Sequence, residues 1–133
     1  MAKHGNGIRR TTAEKLIPVL VERARQYNAA DGTEWIDRMA IFGSYLGDKT
    51  VLGDLDVMVW LSPRYPIGPD RDAAVQRSID RSPEYLSPIA RILHSGAEWV
   101  RALRGKNPAV SIHNADRDAI IAQTAPLQDI FRR

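Results

Sequence analysis

The spacing of apolar and polar residues along the chain predicts a helix, two strands, a group of helices, a third strand and a last helix. The first helix is predicted over residues 11–29, where apolar side chains recur every three or four residues. Pro18 lies inside this range and predicts either a kink or a helix that starts at that residue. Residues 1–10 contain two glycines and few apolar side chains, which predicts a flexible N-terminal arm.

Three short apolar runs predict strands. The first covers residues 39–42, the second covers residues 55–61, and the third covers residues 108–113, where apolar and polar residues alternate. Residues 45–52, between the first two strands, are predicted to form a loop or a single helical turn.

Helices are predicted between the second and third strands. Residues 70–80 are predicted to form one, after a loop that contains three prolines. Ser87 and Pro88 are residue types typical of an N-cap and a first helical position, so a further helix is predicted from there. Gly96 is expected to break that helix into two pieces.

The order of these elements predicts the fold class. Asn114 is expected to cap the last helix, from about residue 115 to residue 123. Three strands with flanking helices make an α+β fold, an α/β sandwich. The chain has 133 residues, of which 44% are hydrophobic, and this suits a single domain over residues 11–133.

Composition and charge narrow the classes of protein. No apolar run approaches the roughly 20 residues of a membrane-spanning helix, and residues 1–10 are followed by polar residues, so a cytoplasmic protein without membrane contact is predicted. The chain has no cysteine, which excludes disulfides, thiolate metal sites and a cysteine nucleophile. The net charge of +3 favours polyanions weakly, because the basic residues form no cluster typical of a DNA-binding surface.

Two acidic residues lie in the otherwise apolar end of the stretch FGSYLGDKTVLGDLDVMV, residues 42–59. Side chains alternate along a strand, so Asp54 and Asp56 are expected on the same face, about 7 Å apart. Their charges repel, and burial increases the cost, unless a divalent cation lies between them. Mg²⁺ binds one or two carboxylates together with substrate phosphates and water, so the pair predicts a metal site for a nucleoside triphosphate.

Gly43 and Ser44 directly follow the first predicted strand and precede the two aspartates. Glycine lets a backbone approach a phosphate closely, and the N–H groups of the following turn and the Ser44 hydroxyl can donate to its oxygens. Each feature alone is weak, because Asp-x-Asp is common in turns and calcium loops. The combination of strand, Gly-Ser, Asp-x-Asp and second strand indicates a site for a metal-bound triphosphate far more specifically than any of these features alone.

This combination resembles the nucleotidyltransferase superfamily typified by DNA polymerase β, and the length of the chain resembles its minimal members. The resemblance covers residues 39–61, and beyond them only the order of elements. It implies a small mixed β-sheet with helices on one side, in which Gly43 and Ser44 hold the nucleotide phosphates and Asp54 and Asp56 hold two Mg²⁺ ions. The implied reaction transfers a nucleotide monophosphate from ATP, or another triphosphate, to an acceptor hydroxyl, and pyrophosphate leaves.

The sequence departs from the family pattern at the third carboxylate, which the family carries on a later strand. Ser111 or His113 lies where that residue is expected. A hydroxyl is a poor Mg²⁺ ligand, and imidazole suits softer metals. Asp116 and Asp118 beyond the strand, or Asp48 in the loop after Gly-Ser, are the alternatives for this role.

Three functions stay open at this level. The first is a nucleotidyltransferase that modifies a protein or RNA, because the chain has little room for a dedicated acceptor domain. The second is a catalytically weak or inactive relative, a regulatory or antitoxin-type partner of a small helical protein in a toxin–antitoxin pair, and the missing third carboxylate motivates it. The third is a nucleic-acid-binding domain, which rests only on the isoelectric point of about 9.5.

Overall fold

The computed structural model describes residues 7–133, which contain five α-helices and six β-strands. The helices are α1 (Arg10–Ala29), α2 (Pro69–Asp80), α3 (Pro88–Gly96), α4 (Glu98–Arg104) and α5 (Ala119–Thr124). The strands are β1 (Ile8–Arg9), β2 (Glu34–Phe42), β3 (Val51–Leu52), β4 (Leu55–Pro63), β5 (Val110–Asn114) and β6 (Gln128–Arg132). A 3₁₀ turn covers Gly43–Leu46, directly after β2.

The main sheet has four strands in the order β5-β4-β2-β6. β2 pairs antiparallel with both β4 and β6, whereas β4 and β5 pair in parallel, so the sheet is mixed. β1 and β3 form a separate antiparallel pair. The predicted α+β class, a small mixed sheet with flanking helices, is confirmed.

The main core lies between α1, α4 and one face of the sheet. On β4, Leu55, Val57 and Val59 are fully buried there. Burial of an aliphatic side chain of this size stabilises the fold by about 1.5–3 kcal/mol. The alternate residues of β4 face the other side, where Met58 packs in a smaller cluster with Phe42, Ala115 and, from α5, Ala122. Asp56 therefore lies on the less covered face of the sheet.

The helical segments largely agree with the sequence pattern. α2 covers the predicted residues 70–80, and Ser87 Oγ accepts a hydrogen bond from the Ala90 N–H at 3.2 Å, as expected of an N-cap. Gly96 ends α3 and separates it from α4, as predicted. Among the helices between residues 7 and 133, none has the length and apolar character to cross a membrane.

α1 continues through Pro18, so the prediction of a helix that starts at that residue is wrong. Proline removes the hydrogen bond to the carbonyl of Glu14, one turn earlier. Both residues are exposed, so water can bind that carbonyl in place of the missing N–H. The opposite face of the helix buries Leu20 and Ala24 in the core, which offsets the local cost.

The domain begins before the predicted boundary. Ile8–Arg9 pairs with Val51–Leu52, and α1 begins at Arg10. Residues 8–10 therefore belong to the domain, contrary to the predicted arm, because they complete the small antiparallel pair. Residues 1–6 of that arm lie outside the described residues.

The sequence pattern misses three strands, β1, β3 and β6, and misplaces the last helix. β3 lies in the segment predicted as loop or helical turn, and β6 contains charged residues because it is an edge strand with solvent on one side. α5 begins at Ala119 rather than at residue 115. Asn114 Oδ1 accepts a hydrogen bond from the Asp116 N–H at 2.8 Å and so forms a turn instead of capping a helix.

Candidate functional site

Gly43 and Asp56 lie side by side where β2 meets the start of β4. Phe42, the last residue of β2, is the register partner of Asp56. Gly43 has a φ of 78°, in the left-handed region that favours glycine. A Cβ atom at Gly43 would lie 2.7 Å from Asp56 Oδ2, closer than such atoms can approach. The structure therefore brings a glycine and an aspartate of the predicted site into direct contact.

The 3₁₀ turn places Ser44 beside this contact. The first N–H groups of such a turn have no acceptor within it, and no side chain caps them here among the described residues. Ser44 is half-buried, and its carbonyl accepts a hydrogen bond from the Gly47 N–H at 3.1 Å. Backbone N–H groups and a hydroxyl are donors that a phosphate can accept from.

Arg10 fixes the loop that follows the turn. Its guanidinium donates to the carbonyl oxygens of Tyr45 at 2.6 Å, Gly47 at 2.8 Å and Lys49 at 2.8 Å. It also lies 5.0 Å from the centre of the Tyr45 ring. The start of α1 is thus tied to the loop between β2 and β3. Sequence reasoning missed this residue, because contacts 35 to 39 residues apart leave no periodic signal.

The two aspartates have different environments. Asp56 belongs to β4, and its side chain is 27% exposed. Asp54 precedes the strand and is exposed, so the prediction that both lie on one strand is wrong. Burial raises the pKa of the Asp56 carboxyl, the hydrogen bond and charge of His113 oppose this increase, and the charge of Asp54 adds to it.

The raised pKa of Asp56 predicts how stability depends on pH. The folded chain binds this proton more tightly than the unfolded chain, so stability falls as pH rises from the unfolded pKa of 3.8 through the higher folded value. Asp56→Asn is therefore expected to unfold at higher urea concentration than the wild type at about pH 7, with the difference shrinking toward about pH 3. Urea titrations of the wild type and of Asp56→Asn in EDTA, at about pH 7 and about pH 3, measure the difference between their midpoints and its change with pH.

The exposed Asp116→Asn variant is the control for this titration, and its urea midpoint is expected to follow that of the wild type. A lower midpoint for Asp56→Asn than for the wild type at neutral pH would contradict the prediction. That result would mean that the charge of Asp56 stabilises the fold through its partner His113.

A histidine joins Asp56 to the neighbouring strand. Ser111 on β5 is the register partner of Asp56. His113 Nε2 lies 3.0 Å from Ser111 Oγ and 3.4 Å from Asp56 Oδ1, and Nδ1 lies 3.4 Å from Asp118 Oδ2. The ring meets the edge of Phe42 with the centroids 5.0 Å apart, which holds its orientation. A continuous polar chain therefore runs from Asp56 through His113 to Asp118.

The three candidates for a third carboxylate do not lie next to Asp56. Ser111 occupies that neighbouring position. Asp118 reaches the site only through His113, and both Asp116 and Asp48 are exposed and make no ion pair within the described part of the chain. Across residues 7–133, no group of three or more histidine, aspartate or glutamate side chains is arranged to hold a metal ion.

The donor set nevertheless suits a cation that arrives with a substrate. Asp56 is a partly buried carboxylate whose pKa is raised, so its charge is incompletely compensated by the protein. Its Oδ2 lies close to the backbone of Gly43, where a Cβ would come within 2.7 Å. Mg²⁺ commonly uses one or two carboxylates and completes its octahedron with phosphate oxygens and water. Asp54 and Asp56 fit this kind of site rather than one closed by protein ligands.

A cavity of about 550 Å³ opens on the other side of His113. Its walls combine apolar residues, among them Leu93, Trp99 and Ile112, with polar residues that include His113 and Arg117. A second cavity, of about 400 Å³, lies beside Tyr27 between α1 and α4 and is separate from Asp56. Of these two cavities, the one beside His113 adjoins the polar chain from Asp56 to Asp118.

α3 presents apolar side chains to solvent near that cavity. Ile89 is 72% exposed, Ile92 is 54% exposed and Leu93 is 71% exposed. Ile120 of α5 is also 79% exposed. Exposed apolar side chains concentrated on one helix, as on α3, are typical of a site of protein association.

Comparison of the chain with protein-family models, with curated proteins and with solved structures finds no match.

Proposed function

We propose that the chain is a Mg²⁺-dependent nucleotidyltransferase, which moves a nucleotide monophosphate from a nucleoside triphosphate such as ATP to a hydroxyl group of a protein or RNA. The observation that carries the proposal is the contact between Gly43 and Asp56, where a Cβ would lie 2.7 Å from Oδ2. It supports a site in which backbone donors and a carboxylate converge. A metal-bound triphosphate requires both at one place, since its phosphates need donors and its cation needs oxygen ligands.

The proposed roles follow from chemistry and position. Gly43 and Ser44 bind phosphate oxygens through backbone N–H groups and the Ser44 hydroxyl. Asp54 and Asp56 hold Mg²⁺, which, when bound, neutralises phosphate charge and favours departure of pyrophosphate. The resemblance to the DNA polymerase β-like nucleotidyltransferases supports the same assignment. Because ATP is an intracellular substrate, a cytoplasmic location is part of the proposal.

The proposal predicts that label from an α-³²P triphosphate appears on a macromolecule when the protein, Mg²⁺ and a cell lysate are incubated together. Asp54→Asn combined with Asp56→Asn is expected to lower this labelling by more than about 100-fold, because both charged ligands are lost. Gel autoradiography with each of the four ribonucleoside triphosphates measures the transfer and identifies the base.

A matched control is available on α2, which carries a second Asp-x-Asp pair. Asp70 and Asp72 lie exposed in its first turn, so Asp70→Asn with Asp72→Asn removes the same charge away from the site. This variant is expected to label as the wild type does. Labelling that persists in the Asp54 and Asp56 double variant would overturn the metal assignment.

A regulatory or antitoxin-type binding partner is the second candidate function. It is favoured by Ser111 beside Asp56, where the family carries a carboxylate, and by the exposed apolar residues Ile89 and Leu93 of α3. Such a surface suits an apolar face of a small helical protein. Wild-type protein that binds ATP with Mg²⁺ but labels no acceptor would support this candidate. Binding of nucleic acid without binding of ATP would instead support a nucleic-acid-binding domain.

A further inference from the structure

Ser111 brings a hydroxyl group to the centre of the candidate site. It is the β5 residue paired with Asp56, and it lies on the same face of the sheet. It is only half-buried, so a ligand can reach it. Its Oγ is hydrogen-bonded to His113 Nε2 at 3.0 Å.

We propose that Ser111 is itself a nucleotide acceptor, so that the protein attaches a nucleotide monophosphate to its own Ser111 Oγ. This inference rests on the proposed transfer activity and names an acceptor for it. An acceptor on the chain does not need a dedicated binding domain.

The order of the strands places donor and acceptor on opposite sides of Asp56. Gly43, at the end of β2, lies on one side, and Ser111, on β5, lies on the other. A triphosphate held between Gly43 and Asp56 would therefore lie next to β5, the strand that carries Ser111. The neighbouring strand is about 4.8 Å away, within the span of one phosphate group.

The contacts of His113 suit activation of the Ser111 hydroxyl. In the tautomer with the proton on Nδ1, which faces Asp118 Oδ2 at 3.4 Å, Nε2 accepts from Ser111 Oγ and no longer donates to Asp56 Oδ1. A serine next to such a base is a stronger nucleophile than a serine in water. The imidazolium formed by proton transfer would face the carboxylate of Asp118, which stabilises its charge.

The proposed step balances as a simple substitution. Ser111 Oγ forms a bond to the α-phosphorus, the bond from that phosphorus to the bridging oxygen of the β-phosphate breaks, and pyrophosphate leaves with the electron pair. The Oγ proton passes to His113 Nε2. The products are a phosphodiester between Ser111 and the nucleoside, and free pyrophosphate.

The first test is the intact mass of the purified protein after incubation with Mg²⁺ and each triphosphate, without lysate. Wild-type protein is expected to gain the mass of one nucleotide monophosphate, mapped to Ser111 by fragmentation. Ser111→Ala is expected to lose this adduct to background while keeping its affinity for the triphosphate, because Ser111 is an acceptor rather than a phosphate ligand. Ser95→Ala on α3 is the control serine variant and is expected to keep the adduct.

The second test needs neither metal nor nucleotide. A fluorophosphonate probe reacts with activated serines, so in EDTA it is expected to label Ser111 at least about tenfold faster than Ser95. His113→Gln is expected to remove this difference. Equal reactivity of the two serines in the wild type would overturn the activation of Ser111.

The outcomes separate this inference from the proposed function. Label on lysate macromolecules but not on the protein would overturn Ser111 as an acceptor and leave the transferase intact. An adduct that persists in Ser111→Ala, or maps elsewhere, would do the same. Absence of transfer to any acceptor, including the protein itself, would overturn both.

Discussion

Replacing Gly43 with alanine is expected to abolish nucleotide transfer and to lower the free energy of unfolding by about 1–3 kcal/mol. The φ of 78° is strained for any residue with a Cβ, and that atom would lie 2.7 Å from Asp56 Oδ2. Either the turn moves away from β4 or the carboxylate of Asp56 rotates, and both separate the proposed phosphate donors from the metal ligand. Urea unfolding and calorimetric titration with ATP and Mg²⁺ measure the two effects.

Gly53 supplies the matched control for this substitution. It precedes β4 in the same loop region, has no positive φ, and a Cβ built there meets nothing within 4 Å. Gly53→Ala is therefore expected to keep nucleotide affinity and to change stability by less than about 0.5 kcal/mol. Normal ATP binding by Gly43→Ala would contradict the assigned site, because the contact between Gly43 and Asp56 would then not be needed for nucleotide binding.

Replacing Arg10 with alanine is expected to destabilise the protein by about 2–4 kcal/mol and to release the loop after the 3₁₀ turn. The substitution removes three charge-assisted hydrogen bonds, to the carbonyls of Tyr45, Gly47 and Lys49, together with the stacking on the Tyr45 ring. Amide hydrogen exchange over residues 45–52 is expected to accelerate more than exchange in β2. Nucleotide affinity is expected to fall, because this loop directly follows the 3₁₀ turn that contains Gly43 and Ser44.

Two other variants make this prediction specific. Arg9→Ala removes a neighbouring exposed charge whose side chain forms no hydrogen bond with the described residues, and it is expected to behave as the wild type. Arg10→Lys keeps the charge but not the planar set of donors, so an intermediate loss of stability is expected. Unchanged exchange over residues 45–52 in Arg10→Ala would show that the loop is held by other contacts.

The sequence predicts those parts of the fold and site that depend on neighbouring residues. The strand around Val57 and the helix break at Gly96 follow from local pattern and residue type. The sequence predicts a shared site for Gly43 and Asp56 from the combination of Gly-Ser with Asp-x-Asp, but their direct contact depends on the antiparallel pairing of β2 with β4. The assignment of these residues to nucleotide and metal stays a prediction.

The remaining features depend on contacts between distant parts of the chain. In the sequence, Arg10 is one of several basic residues in the N-terminal segment. Its structural role depends on the packing of the loop around Gly47 against it. The sequence does not show that Ser111 and His113 act as a pair. That depends on the pairing of β5 with β4 and on the contact of Asp118 with the His113 ring. The charged residues of β6 are not typical of a strand. β6 forms because the segment pairs with β2.

The parallel pairing of β4 with β5 also determines the order in which the parts of the candidate site form during synthesis. The β2–β4 hairpin joins nearby residues and can form early, whereas β5 must wait for the α2–α4 crossover. At about 5–20 residues per second, the roughly 55 residues from Asp56 to Ser111 delay the second partner by about 3–11 seconds. A nascent chain would thus carry the proposed nucleotide-binding residues for some seconds before it carries the serine that we propose they modify.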